Sequence, residues 1–128
     1  MIIAVLGAGM VGRAIALDLA KEHSVTSFDL NAQNLEEIKN KDASVQTVAA
    51  DLSQFTEYEN WFSAFDIIVT AVPGFMGYKT LEAVINAGKN VVDISFFPED
   101  ALQLDKIAKE KNVTSDVRHS GLTLWMFL

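Results

Sequence analysis

The chain has 128 residues, half of them hydrophobic, with 17 acidic against 10 basic side chains and a formal net charge of −7. That length suits one domain with a full core and leaves no room for a second. The negative charge repels phosphate backbones and anionic lipid headgroups, so neither nucleic acid nor a membrane surface is an expected partner.

Ile2-Ile3-Ala4-Val5-Leu6 is a continuous apolar run, too short and too lacking in leading basic residues for a secretory signal. It predicts a strand buried on both faces of a parallel sheet. The stretch Gly7-Ala8-Gly9-Met10-Val11-Gly12 follows. Residues 10–22 predict a helix with Val11, Ala14, Ile15, Leu17 and Ala20 on its apolar side. A strand is expected at 25–28, ending at Asp29, and then a surface helix over 33–41 capped by Asn31. Together these make one βαβ unit of ordinary length. Residues 45–49 predict a strand, 58–65 contain a helix, and 67–71 predict a strand followed by a Pro73-Gly74 turn. A helix over 78–87 is expected to stop at Gly88 in the left-handed conformation. A strand at 91–94, a helix over 99–111 and one more strand starting at Val113-Thr114 complete the series. Strands alternating with helices predict the α/β class: a single domain with a doubly wound parallel sheet in three α/β/α layers. No run of about 18 apolar residues occurs, so no membrane-spanning helix is expected.

The glycine stretch has the GxGxxG spacing in a strand-to-helix context, which predicts a dinucleotide cradle, a helix-sheet packing turn with no ligand being the alternative. Gly7 would permit the turn, Gly9 would let the backbone approach a pyrophosphate, and Gly12 would let the helix pack on the sheet. Met10 and Val11 open the helix whose free N–H groups would face the phosphates. Asp29, 22 residues after Gly7, stands where a carboxylate bonds the ribose hydroxyls; capping of the next turn is the alternative. A carboxylate there repels a 2′-phosphate, and Leu30-Asn31-Ala32-Gln33 supplies no cation, so NAD is favoured over NADP. Asp51 and Leu52, at the end of the third strand, are expected beside the adenine, with a capping role for Asp51 equally open. Val72 and Pro73 follow the fourth strand and are expected on the nicotinamide side, an ordinary turn being the alternative. Asp93 and Ser95 end the fifth strand, where an Asp either orients an amine or a water or caps the next helix; no catalytic residue is assigned. His23 and His119 have no partner at ligand spacing and are expected to face solvent, so no metal is expected. The chain has no cysteine, which removes disulfides and thiolate sites and suits a reducing cytoplasm, the expected location.

Three blocks of sequence resemble the N-terminal part of the saccharopine dehydrogenase and lysine dehydrogenase family. They are Val5-Leu6-Gly7-Ala8-Gly9-Met10-Val11-Gly12-Arg13-Ala14, then Ala71-Val72-Pro73-Gly74-Phe75-Met76-Gly77-Tyr78, then Ala87-Gly88-Lys89-Asn90-Val91-Val92-Asp93-Ile94-Ser95. The first is shared by many Rossmann-type domains; the second and third, in this order, are more specific. The resemblance implies a nicotinamide-dependent oxidoreductase acting on carbon-nitrogen bonds of amino acids. It also implies that Gly7, Gly9 and Gly12 hold the pyrophosphate, Asp29 the ribose, Asp51 the adenine region and Val72-Pro73 the nicotinamide side.

Residues 1–115 are expected to form the dinucleotide-binding domain. The similarity fades near Ser115, and residues 116–128 form an atypical, largely apolar tail. The tail is expected to be the truncated start of a missing substrate domain, so that the chain alone is incomplete for catalysis, or a surface for homo-oligomer formation. An amino-acid substrate is the expected small molecule. The alternative function is a stand-alone nucleotide-sensing module resembling the regulatory domains of potassium transport systems, which share the GxGxxG and the two Asp positions.

Overall fold

The computed structural model describes residues 1–72, 74–93 and 115–117. Among them six strands form one sheet: β1 (Ile2–Leu6), β2 (Ser24–Asp29), β3 (Gln46–Ala49), β4 (Ile67–Thr70), β5 (Asn90–Asp93) and β6 (Ser115–Val117). The order is β3-β2-β1-β4-β5-β6, and every neighbouring pair is parallel. The described helices are α1 (Met10–Leu19), α2 (Ala32–Lys41), α3 (Tyr58–Phe62), led in by a 3-10 turn at Phe55–Glu57, and α4 (Gly74–Asn86).

Alternation along β1 divides the core in two. Ala4 and Leu6 pack with Phe28, Phe62, Ile68, Leu81 and Ile85, on the side of α3 and α4. Ile3 and Val5 pack with Ile15, Ala16, Leu19, Leu35 and Ile38, on the side of α1 and α2. A strand whose alternate side chains enter two cores must be apolar at every position, which is why β1 reads as an unbroken run. Each such Leu or Ile contributes about 2 kcal/mol relative to exposure. Phe28 and Phe62 meet edge to face at 5.1 Å, as aromatic quadrupoles prefer.

Helix caps follow the local sequence. Asn31 Oδ1 accepts the Gln33 and Asn34 N–H groups at 2.9 and 3.3 Å and so starts α2. Gly88, at φ 77°, ends α4, with its N–H bonded to the Ile85 carbonyl at 2.9 Å.

Several expectations need correction. The buried face of α1 is Gly12, Ile15, Ala16 and Leu19, whereas Val11 is 53% exposed and Ala14 is exposed. Hydropathy misplaces that face because Gly12, with no side chain, marks the innermost position. The helix also ends at Leu19, and the His23 N–H bonds the Leu19 carbonyl as the chain turns into β2. α4 begins at Gly74, inside the stretch expected as a turn. Proline next to a helix start is compatible with that start, because the first-turn N–H groups have no intrahelical acceptor. His23 is half-buried, with Nδ1 covered. The sixth strand occupies Ser115–Val117 and pairs with β5. The helix expected over 99–111, together with Ile94, Ser95, Val113, Thr114 and His119, lies outside the described residues. Among the described residues no helix is long and apolar enough to cross a membrane.

Candidate functional site

The strand order reverses at β1, with β2 on one side and β4 on the other, so the loops leaving β1 and β4 part above the sheet and open a crevice. β1 runs into Gly7, whose φ of 103° favours glycine, and a Cβ there would stand 2.4 Å from the Ala71 carbonyl oxygen. Gly12 is as tightly held: its Cβ would lie 2.1 Å from the Gly7 carbonyl oxygen and 3.4 Å from the Ala71 Cβ. Loop, helix and β4 exit therefore meet through two glycines. Gly9 differs, because a Cβ on it would meet nothing within 4 Å. Packing requires Gly7 and Gly12; it makes no demand on Gly9.

Gly9 is also the N-cap of α1, with no side-chain cap and no acidic residue in the first turn. The first intrahelical bond runs from the Arg13 N–H to the Gly9 carbonyl at 2.8 Å. The N–H groups of Met10, Val11 and Gly12 thus have no helix carbonyl to reach, and the positive end of the helix dipole has no countercharge from its own turn. Such a terminus receives an anion without any basic side chain.

Asp29, at the end of β2, is tied to both neighbouring segments. Its Oδ2 accepts the Ala8 N–H at 2.6 Å and its Oδ1 accepts the Asn31 N–H at 2.8 Å. A carboxylate oxygen has two lone pairs, so each keeps one for a further donor. Asp51 caps its own turn: Oδ1 accepts the Ser53 N–H at 3.0 Å and the Ser53 hydroxyl at 2.6 Å. Those two bonds hold the Asp51 carboxyl below its ordinary range, the side-chain bond first. Beneath it, the Tyr58 hydroxyl donates to the Leu52 carbonyl at 2.6 Å. Burial, aided by the Asp51 charge, pushes Tyr58 up to about 12.

A cleft of about 800 Å³ brings together Gly7, Gly9, Met10, Val11, Gly12, Asp29, Asp51, Leu52 and Val72. Pro73, expected among them, lies outside the described residues. Leu30, Asn31, Asn34, Ser53, Ala71 and Met76 also border the cleft and were not assigned to it from sequence. Position within two residues of Asp29 or Asp51 is the trace that sequence holds of Leu30, Asn31 and Ser53; Asn34 arrives on the first turn of α2 and Met76 on the first turn of α4. No Lys or Arg borders the cleft among the described residues. Arg13, directly after the loop, turns to Glu37 of α2 and pairs with it. Asp93 is placed otherwise than expected for a residue orienting an amine or a water. It is fully buried, accepts a hydrogen bond from the Thr70 hydroxyl on β4 and does not border this cleft. Among the described residues no group of three or more His, Asp or Glu could hold a metal ion.

A parallel sheet with a crevice at its reversal point, a helix N-terminus over an open glycine and a carboxylate at the end of β2 define a Rossmann-type nucleotide-binding domain. Residues 3–115 match the family described as saccharopine dehydrogenase NADP binding domain, and the chain belongs to that family. It is a nucleotide-binding domain of the saccharopine dehydrogenase-like oxidoreductases. No curated protein matches the sequence.

Solved structures agree on the fold. The apo saccharopine dehydrogenase (L-Glu forming) of Saccharomyces cerevisiae superposes with a TM-score of 0.77 at 16% identity, over 91% of this chain and 26% of that one. The UDP-N-acetylglucosamine 3-dehydrogenase GnnA of Acidithiobacillus ferrooxidans gives 0.75 at 20% identity, over 93% and 37%. The scyllo-inositol dehydrogenase of Lactobacillus casei with bound NAD(H) and scyllo-inositol gives 0.72 at 18% identity, over 91% and 35%. The chain thus spans roughly a quarter to somewhat over a third of the length of these structures.

Proposed function

We propose that the chain binds NAD as the cofactor domain of an oxidoreductase acting on carbon-nitrogen bonds of amino acids. The observation that carries the cofactor part is Gly9: in a loop whose other two glycines are enforced by packing, it alone fronts open space, above an uncapped helix N-terminus. In this reading the pyrophosphate lies against the first N–H groups of α1, with Gly7, Gly9, Met10, Val11 and Gly12 as its backbone wall. Asp29 accepts from the adenosine ribose hydroxyls. Asp51 and Leu52 flank the adenine, with Asp51 keeping its turn-capping bonds, and Val72 and Pro73 flank the nicotinamide.

The bound nicotinamide would supply hydride transfer; the chain's residues bind and orient it. NAD is preferred to NADP in this reading because the ribose end of the cleft holds a carboxylate and, among the described residues, no cation. Residues 1–115 supply the dinucleotide site, and β6 carries the same sheet on to Val117. Membership of a saccharopine dehydrogenase family supports an amino-acid substrate. The described residues are assigned to cofactor binding, and turnover is assigned to the domain together with a substrate-binding partner domain.

Calorimetric titration with NAD, NADP and ATP tests the proposal. Tighter binding of NAD supports it, and tighter NADP binding overturns the choice of cofactor. Preference for ATP moves the chain to the nucleotide-sensing reading, and no binding at all refutes the site.

A further inference from the structure

We propose that Asp29 has a second role, in which its carboxylate positions the glycine loop of the free protein, so that ribose recognition and pyrophosphate recognition are coupled through one side chain. The ribose half of this coupling rests on the function proposed above; the loop half rests on geometry.

Ala8 lies between a glycine in the left-handed region and a glycine facing open space. Glycine restrains its own backbone least of all residues, so the loop needs ties from outside. Ala8 lies between β1 and α1, and neither ladder nor helix bonds extend to its N–H. On one side Gly7 N–H bonds the Phe28 carbonyl at 2.8 Å, and on the other Arg13 N–H bonds the Gly9 carbonyl at 2.8 Å. Between these two anchors, Asp29 Oδ2 accepts the Ala8 N–H at 2.6 Å, a contact spanning 21 residues of chain. A bond to a carboxylate is shorter and stronger than one between neutral groups, and Ala8 is fully buried where that strength is expressed.

Two consequences follow for a ligand. The Ala8 N–H is already used inside the protein, so the donors presented to a pyrophosphate come after it, those of Met10, Val11 and Gly12 in the first turn of α1 among them. Asp29 commits one lone pair of each oxygen to backbone, at Ala8 and Asn31, and retains one on each for the two ribose hydroxyls. Ribose therefore binds without releasing the loop. Asparagine cannot serve in the same way, because one of its two terminal atoms would turn a donor toward an N–H group. Asp29 is thus a positioning residue as well as a ligand contact.

The test combines amide hydrogen exchange of the free chain with calorimetry, on the wild type and Asp29→Ala. The ligands are NAD and an NAD analogue whose adenosine ribose is 2′,3′-dideoxy. The Ala8 amide is expected to be protected in the wild type and to exchange about tenfold faster or more in Asp29→Ala. The Ile15 and Leu19 amides inside α1 are expected to keep their protection. The dideoxy analogue, which offers no hydroxyl to Asp29, is expected to bind the variant several-fold more weakly than the wild type. An unprotected Ala8 amide in the wild type, or unchanged protection in the variant, overturns the proposal. Equal affinity of the analogue for both proteins also overturns it, because Asp29 then acts through the ribose alone. Failure of NAD to bind the wild type would refute the proposed function, and the exchange data would still decide the loop. If Asp29→Ala does not fold, Asp29→Asn takes its place. Loss of protection at Ala8 or Asn31, but not both, is then expected, and full protection of both overturns the proposal.

Discussion

Replacing Gly9 with Asp is expected to stabilise the fold while removing dinucleotide binding, two effects of opposite sign from one side chain. Gly9 has φ −69°, ordinary for any residue, and a Cβ on it meets no atom within 4 Å, so the fold accepts the substitution without strain. As the N-cap of α1 it lacks a side-chain acceptor. Aspartate supplies one for the Val11 or Gly12 N–H and sets a negative charge against the helix dipole, together worth up to about 1 kcal/mol. For a domain of this size that raises the melting temperature by about 4 °C. The same carboxylate occupies the N–H groups a pyrophosphate would use. It also stands about 5 Å from the phosphate charge, which at an effective dielectric of about 20 costs roughly 3 kcal/mol, a loss of affinity beyond a hundredfold. Gly12→Ala is the control of opposite character. In an open helix it would gain about 0.5 to 1 kcal/mol. Here its Cβ would lie 2.1 Å from the Gly7 carbonyl oxygen, and overpacking of that kind costs about 1 to 3 kcal/mol. Thermal melts followed by circular dichroism and NAD titrations of the three proteins make the comparison. NAD affinity in Gly9→Asp within a few-fold of wild type would refute the assignment of the cradle. A melting temperature as low as that of Gly12→Ala would refute the reading of Gly9 as unpacked.

Asn31→Ala removes the acceptor for the Gln33 and Asn34 N–H groups and is expected to cost about 1 kcal/mol in urea unfolding. Tyr58→Phe removes the donor to the Leu52 carbonyl and is expected to cost about 1 kcal/mol near neutral pH. Tyr58 holds its proton up to about 12 in the folded chain, whereas the unfolded chain releases it near 10. Its contribution is complete below the unfolded value and is lost as pH rises through the folded one. Unfolding measured across that alkaline window should therefore show a decline that is smaller in Tyr58→Phe. Asp51 shifts the other way: its folded value is lowered by Ser53, so its contribution is present above the ordinary carboxylate range and is lost as pH falls through the lowered value. An acid unfolding series of Ser53→Ala should lose that part of the slope, and an unchanged acid limb would show that the Ser53 bonds carry no stability.

Much of the architecture is legible in the chain because local chemistry and global placement agree. The unbroken apolar run of β1 implies burial on both faces, and two cores indeed divide its side chains. Asn31 and Gly88 mark helix ends through capping that involves their close neighbours in sequence. The GxGxxG and the acidic residue 22 positions after its first glycine place the cleft, because strand, turn and helix follow one another within a single βαβ unit. By itself, then, the sequence determined the alternating class, the caps and the region of the cleft. Tertiary structure decided what depends on distant backbone. Which α1 face is buried followed from Gly12 touching Gly7 and Ala71, a contact that hydropathy cannot weigh for a residue without a side chain. The difference between Gly9 and its two companions appeared once Ala71, 62 residues away, was in place. Asp29 reached Ala8, and Asp93 turned inward to Thr70, because parallel strands joined by crossovers bring the ends of remote segments side by side. A one-dimensional pattern records the type and period of residues, whereas packing is set by which backbones the sheet order makes neighbours.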